Sequence, residues 1–377
     1  MKIEQKYWSE REGWVFETEE KGLKNAQLVL LFASPNNFQN KYLFEEIRQS
    51  YPEAYILGSS SAGEICGAHV RENSLSVTAI FFERTTLSFT HKNINNENSF
   101  PIGEELVKSL PQENLRHIFV LADGLNTNGT ELISGMSKHL PKDVQVTGGL
   151  AADGGKFVET LVAFNDVPAN KNIVAIGFYG SHLKLGHGSK SGFTPFGPER
   201  VITPSERNIL FELDGEPAFD LYKKYLGDKI KDFSVQCFYF PLWLKDKSMN
   251  EGIVRTIIGF DEKVGSITFA GDIEQGSSAR LMKTNVDNLV SGAEEAAQDC
   301  TVHGNQNPEL AILISCIGRK IVMKQRVEEE IEIVRDVLSP STRLTGFYSY
   351  GEIAPFGKLN FHRLHNQTMS ITTFSES

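Results

Sequence analysis

Gly58-Ser59-Ser60-Ser61-Ala62-Gly63-Glu64-Ile65 is written a second time in this chain, 288 residues on, as Gly346-Phe347-Tyr348-Ser349-Tyr350-Gly351-Glu352-Ile353. Both copies read G-x-x-S-x-G-E-I, and their flanks agree. An apolar run, a helical stretch and a second short apolar run precede each copy, and a β-like segment follows it, at residues 75–82 and 369–374. The layout recurs a third time with the motif altered to Gly148-Gly149-Leu150-Ala151-Ala152-Asp153-Gly154. From apolar run to glycine there are 30 residues from Leu28 to Gly58, 30 from Ile118 to Gly148 and 34 from Ile312 to Gly346. Each distance suits a strand, a helix of three or four turns and a second strand, the size of a βαβ unit. The expected fold is therefore α/β, of mixed α+β character, built from duplicated βαβ-type units with mixed sheets in two modules. Residues 28–82 and 312–374 should superpose, with the two motifs at equivalent turns.

A chain of 377 residues exceeds the size at which one core stops growing, which favours more than one domain. Its net charge of -10 and pI near 5.5, without a Lys/Arg cluster, argue against nucleic acid or an anionic membrane surface as partner. Cys66, Cys237, Cys300 and Cys316 lack C-x-x-C spacing, so neither a zinc site nor a disulfide framework is indicated. Residues 1–21 are too charged for a signal peptide, and no apolar run is long enough for membrane insertion. The expectation is a soluble, cytoplasmic protein.

Leu28-Val29-Leu30-Leu31-Phe32 is apolar without alternation, as in a strand covered on both faces. Leu43, Phe44 and Ile47 then repeat at helical spacing up to Pro52. Leu132, Ile133, Met136 and Leu140 do the same up to Pro141, and Val327, Ile331, Val334 and Leu338 in the last unit. Residues 186–204 are rich in Gly, Ser and Pro and read as a long loop or domain boundary. Beyond it Pro217 opens a helix, and residues 233–240, 253–260 and 266–269 read as β-like runs.

Several ordered motifs carry a resemblance: Gly58 to Ile65, Gly148 to Gly154, Leu213-Asp214-Gly215 with Leu221-Tyr222, Gly271-Asp272-Ile273, Ser315-Cys316 with Arg319, and Gly346 to Ile353. Together they resemble the FIST family of sensory proteins, over nearly the whole chain. The resemblance implies an N-terminal extension over 1–24, a FIST N-terminal domain over 25–212, a FIST C-terminal domain over 213–365 and a terminal strand and tail over 366–377. It implies a signal-transduction input module that binds a metabolite such as an amino acid and relays to a separate partner. It also implies an alternative, a haem-binding nitric oxide sensor that regulates a partner histidine kinase.

The residues themselves say what the repeated turn can do. Gly63 and Gly351 let backbone N–H groups and a ligand approach closely, and Ser61 and Ser349 bring hydroxyls. Tyr348 stands beside them, and Glu64 and Glu352 offer acceptors for an amine. Arg319, read as part of the loop after the last unit's first strand, offers a bidentate fork for a carboxylate. The other reading is that the glycines only shape turns and each Glu bonds neighbouring backbone N–H groups. No C-x-x-C-H is present, so haem would need a non-covalent axial ligand: His187, flanked by glycines in an expected loop, or His69, just past the first motif. Ala62 and Tyr350 stand where a G-x-S-x-G nucleophile elbow needs glycine, which argues against a serine-type enzyme. Asp123 and Asp153 cap turns as readily as they would bind a divalent cation.

Overall fold

Strands that are apolar on both faces need a layer on each side, and three such strands seed three sheets. The structure, a computed structural model, describes residues 1–94, 98–227, 233–245, 252–302, 306–357 and 361–377. In the first unit Leu28–Ala33 runs parallel to Tyr55–Ser60 and antiparallel to Ser74–Phe81. The middle unit repeats this with Leu115–Ala122, Gln145–Leu150 and Asn172–Tyr179. The last does so with Leu310–Cys316, Arg343–Ser349 and Met369–Glu376. The fold is mixed α/β as expected, and the unit occurs three times. The two motif copies sit at equivalent turns, Gly58 lying opposite Leu31 and Gly346 opposite Leu313.

Each parallel pair is joined through a helix. Asn40 and Asn128 cap the helices Lys41–Ser50 and Gly129–His139, each side chain accepting from two backbone N–H groups of the first turn. Their stripes, Leu43 with Ile47 and Leu132 with Ile133 and Met136, are buried, as are Ile331, Val334 and Leu338 of Glu329–Leu338. Alternate residues of the seeding strands go to opposite layers. Leu28, Leu30, Phe32, Phe119, Leu121, Leu310, Ile312 and Ile314 meet between the three sheets. Val29 and Leu31 face the first helix instead, and Ile118, Val120 and Leu313 face the helices of the other two units. Burying each such side chain contributes about 1.5–3 kcal/mol.

The units exchange strands in a cycle. Glu64–Cys66 of the first unit pairs with Arg343–Ser349 in the last sheet, and Gly351–Phe356 of the last pairs with Gln145–Leu150 in the middle sheet. Val162–Phe164 of the middle unit closes the cycle on Tyr55–Ser60 in the first sheet. The first glycine of each motif copy makes this crossing feasible. A Cβ at Gly58, Gly148 or Gly346 would stand 2.3, 1.9 or 1.7 Å from the carbonyl oxygen of Leu31, Val120 or Leu313. Gly346→Ala should therefore lower stability by about 1–3 kcal/mol through overpacking, read as a lower urea midpoint. An unchanged midpoint would mean that close strand approach does not explain this glycine.

The sheets cut across the expected division at 212/213. Leu183–Lys190 pairs with Met369–Glu376, so the last sheet starts well before residue 213 and Met369–Glu376 is an inner strand of it. Lys2–Ser9 pairs with Ser74–Phe81 and belongs to the first unit. The last unit is interrupted by a small β-rich module. Its first sheet contains Thr194–Val201, Ser278–Lys283, Leu242–Lys245 and Ile253–Arg255, and its second contains Ile257–Asp261, Ser266–Phe269 and two short strands. It has its own core, including Leu210, Phe219, Ile257 and Phe269, and the expected 212/213 boundary falls inside it. Residues 186–204 are two strands with a break at 191–193, and Phe233–Tyr239 is helical. Short apolar runs fit strand and buried helix equally, which is why 233–240 misleads.

Candidate functional site

The three turns at the carboxyl ends of the parallel pairs are tied into a ring by backbone hydrogen bonds between equivalent positions. Ala62 N–H donates to Tyr348 O at 2.9 Å, Ala152 N–H to Ser60 O at 2.9 Å and Tyr350 N–H to Leu150 O at 3.1 Å. Open α/β sheets place ligand sites beyond the carboxyl ends of their strands, and here three such ends meet.

The recurring Glu holds each turn to the start of its unit's last strand. Glu64 accepts from Ser61 Oγ, and from Ser74 N–H at 3.2 Å and Ser74 Oγ at 2.6 Å. Glu352 accepts from Ser349 Oγ at 2.7 Å, Thr368 N–H at 3.1 Å and Thr368 Oγ1 at 2.8 Å. Val162 occupies the matching register position in the middle unit, and Asp123 takes over from the end of the preceding strand, accepting from Thr160 Oγ1 and Lys171 N–H. Three units thus place a buried carboxylate between a turn hydroxyl and the N–H beside the following strand. Burial raises the Glu64 and Glu352 carboxyls to about 7, against the lowering effect of these hydrogen bonds.

Several site residues expected from the sequence are therefore engaged internally. Glu352 and Ser349 are buried on each other, and a Cβ at Gly351 would stand 2.8 Å from Leu364 Cδ1. Arg319 is fully buried on the helix Ile317–Met323, not in a loop. Its Nε and Nη2 bond Glu330 Oε2 at 3.0 and 2.7 Å, while Nη1 reaches Ser191 O and Nη2 Leu289 O. Glu330 also accepts from Ser315 Oγ and from Tyr348 OH at 2.6 Å, so Tyr348 gives its hydroxyl to the same core network.

Ser61, Gly63 and Glu64 do line an open cleft of about 670 Å³, closed on its other sides by residues 153–156 and the helix bearing Lys320 and Lys324. Lys320, next to Arg319 but on the outward face of that helix, reaches across. Its Nζ lies 2.6 Å from Ala62 O and 2.6 Å from Glu72 Oε1, and 5.8 Å from the Tyr348 ring centre. Gly63, at φ +146°, leaves it room, since a Cβ there would stand 3.0 Å from Nζ. Consecutive helical residues differ by about 100° in direction, so sequence proximity alone did not separate Lys320 from Arg319. Asp153 holds the opposite lip, its carboxylate accepting the N–H groups of Lys156, Phe157, Val158 and Glu159 at 2.7–3.1 Å and the Tyr350 hydroxyl. Burial pushes this carboxyl up, but the Tyr350 and backbone hydrogen bonds outweigh it and hold it low.

A second cleft, of about 400 Å³, opens between residues 124–129 and the inserted module's residues 269–272. Tyr350 and Phe157 stack in its wall with ring centres 4.6 Å apart, and Ile317 touches both clefts.

The two candidate haem ligands line neither cleft. His187 sits in the strand Leu183–Lys190, not a loop, and its flanking glycines admit a helix: Cβ atoms there would meet Cys300 O at 2.3 Å and Ala296 O at 2.0 Å. His69 is exposed, with Nδ1 3.3 Å from Glu328 Oε1. The exposed, carboxylate-facing ring of His69 does not fit an axial haem ligand, which needs an apolar slot at its free nitrogen. Among the described residues no three of His, Cys, Asp and Glu are grouped to hold a metal ion, and no helix is long and apolar enough to cross a membrane.

Residues 27–216 match the FIST N domain and residues 218–355 the FIST C domain. An uncharacterized protein of Methanocaldococcus jannaschii is 23% identical, the alignment covering 89% of this chain and 71% of that one. Two solved structures of cyanuric acid hydrolase are similar in overall course. That from A. caulinodans is 7% identical with a TM-score of 0.34, over 93% of this chain and 90% of its own. The other is 8% identical with a TM-score of 0.33, over 100% and 99%.

Proposed function

The chain belongs to the FIST family, whose domains are small-ligand sensory modules of signal transduction, and from that premise we propose that it binds a small carboxylate-bearing metabolite such as an amino acid in the 670 Å³ cleft and relays occupancy to a separate signalling protein. The observation that carries this reading is the Lys320–Glu72 pair at the mouth of the cleft. Lys320 is largely buried and Glu72 largely exposed, and a solvent-facing pair of this kind contributes only about 0–1 kcal/mol, so opening it costs little. An α-amino acid entering between them would set its carboxylate on Lys320 and its ammonium on Glu72, replacing one pair by two. Charge-assisted hydrogen bonds contribute about 1.5–3 kcal/mol each, and a few of them with apolar contact reach roughly the 8 kcal/mol of a micromolar complex. The cleft volume lies within the usual range for small-molecule sites.

The reading is of binding without turnover. Calorimetry with an amino-acid panel tests the site. Lys320→Gln should weaken the best ligand by about tenfold or more, the loss of one charge-assisted bond, with Glu72→Gln weakening amino acids but not their deaminated analogues. Undiminished affinity in Lys320→Gln would remove the cleft as the site. A visible spectrum of protein from haem-supplied cells separates this reading from the nitric oxide one, and no Soret band is expected.

A further inference from the structure

The second cleft has no part in that reading, and we propose that it is a separate site for a small amphiphilic monocarboxylate with an aromatic or branched apolar body. Its apolar walls are unusually open to solvent: Leu125, Phe157 and Ile258 are 38%, 52% and 51% exposed, and all three converge on this one cleft. Phe269 and the Tyr350 ring extend the same surface inward. Single exposed apolar residues are ordinary, but several on one concavity mark a surface that something covers.

Asp272 is the only carboxylate among the lining residues, and the buried guanidinium of Arg255 lies against it from beneath Gly271. Among the described residues Arg255 makes no carboxylate bond, donating to the backbone oxygens of Asp272 at 3.4 Å and Leu364 at 2.8 Å. Asp272 thus offsets Arg255. Arg207 lines the cleft, is exposed, and among the described residues pairs with no acid. A planar carboxylate matches the guanidinium fork of Arg207. Two further donors lie in the same wall: the hydroxyls of Thr127 and Thr256, in residues only 9% and 4% exposed, find no hydrogen-bond partner among the described residues. Buried hydroxyls are nearly always bonded, so a bound acceptor fits both. The site lies between the inserted module and the threefold body, where small-molecule sites are common.

The test uses the full chain with phenylacetate, phenylacetamide and 2-phenylethylamine as calorimetric probes. Phenylacetate should bind at least tenfold more tightly than the neutral amide or the cationic amine. Arg207→Gln, a change at an exposed residue, should lose at least tenfold for phenylacetate. Ile258→Glu should lose as much by putting a like charge at the apolar rim. Absence of phenylacetate binding at millimolar concentration, or equal affinity in parent and Arg207→Gln, overturns the proposal. Loss in Lys320→Gln with retention in Arg207→Gln would assign the carboxylate to the first cleft and overturn it equally. Because the first cleft is tested through Lys320 and Glu72, either site can fail without the other.

Discussion

Arg319→Met should destabilise the protein by about 3–5 kcal/mol, the usual cost of removing one partner of a fully buried ion pair. Both Arg319 and Glu330 are completely buried, so the carboxylate of Glu330 would keep only Ser315 and Tyr348 as donors, with its charge uncompensated. The carbonyls of Ser191 and Leu289 would lose their donor as well. Since desolvating two ions offsets much of their attraction, the double variant Arg319→Met with Glu330→Gln should recover a large part of the loss. Urea unfolding of the parent, the single and the double variants measures this. A single variant within about 1 kcal/mol of the parent would show that the pair does not anchor the helix carrying Lys320.

The repeat was legible because the unit's pattern is local: an apolar run, a stripe at helical spacing and a glycine turn fall within some 30 residues. The exchange of strands was not, because nothing in Glu64-Ile65-Cys66 distinguishes pairing with its own sheet from pairing with Arg343–Ser349, some 280 positions away. The same distance hid the ring of turns that forms the cleft. Within the motif the Ser–Glu pairing was readable as chemistry, but its role depended on Ser74 and Thr368, which lie 10 and 16 positions further on. Arg319 drew attention as a fork near a predicted site, and only the burial of Glu330 beside it decides that its fork is filled. Lys320 was passed over for the opposite reason, since a lysine in a charged stretch carries no signal until the helix face is known. The glycines around His187 misled similarly: they answer to the carbonyls of a helix packed on the strand, and sequence alone gives no means of telling access for a ligand from access for a backbone.

The parent's stability should fall only modestly between pH 6.5 and 4.5, because two glutamates offset most of what three buried histidines lose there. Burial lowers His117 to about 3 and His362 and His365 to about 4, all below the ordinary 6.5. The unfolded chain therefore takes up these protons first, and the stability they contribute is lost as pH falls from 6.5 toward 4. Glu64 and Glu352 act with the other sign. With folded values near 7 against an ordinary 4.5, the native state binds their protons first, so their contribution is full below 4.5 and is lost as pH rises through 7. Each proton difference is worth on the order of 1.4 kcal/mol per pH unit, so removing the two glutamates should expose a falling acid limb of several kcal/mol. Gln is the right replacement because it resembles the neutral acid, its oxygen accepting from Ser74 or Thr368 N–H and its amide donating to Ser61 or Ser349 Oγ. Stability of the double variant Glu64→Gln, Glu352→Gln should thus match or exceed the parent at pH 7 and fall below 6.5 about three times as steeply as the parent, with three histidines acting unopposed. Parallel profiles for the two proteins would mean that these carboxyls titrate alike folded and unfolded, and would end the account of them as neutral, hydrogen-bonded fasteners of the turns.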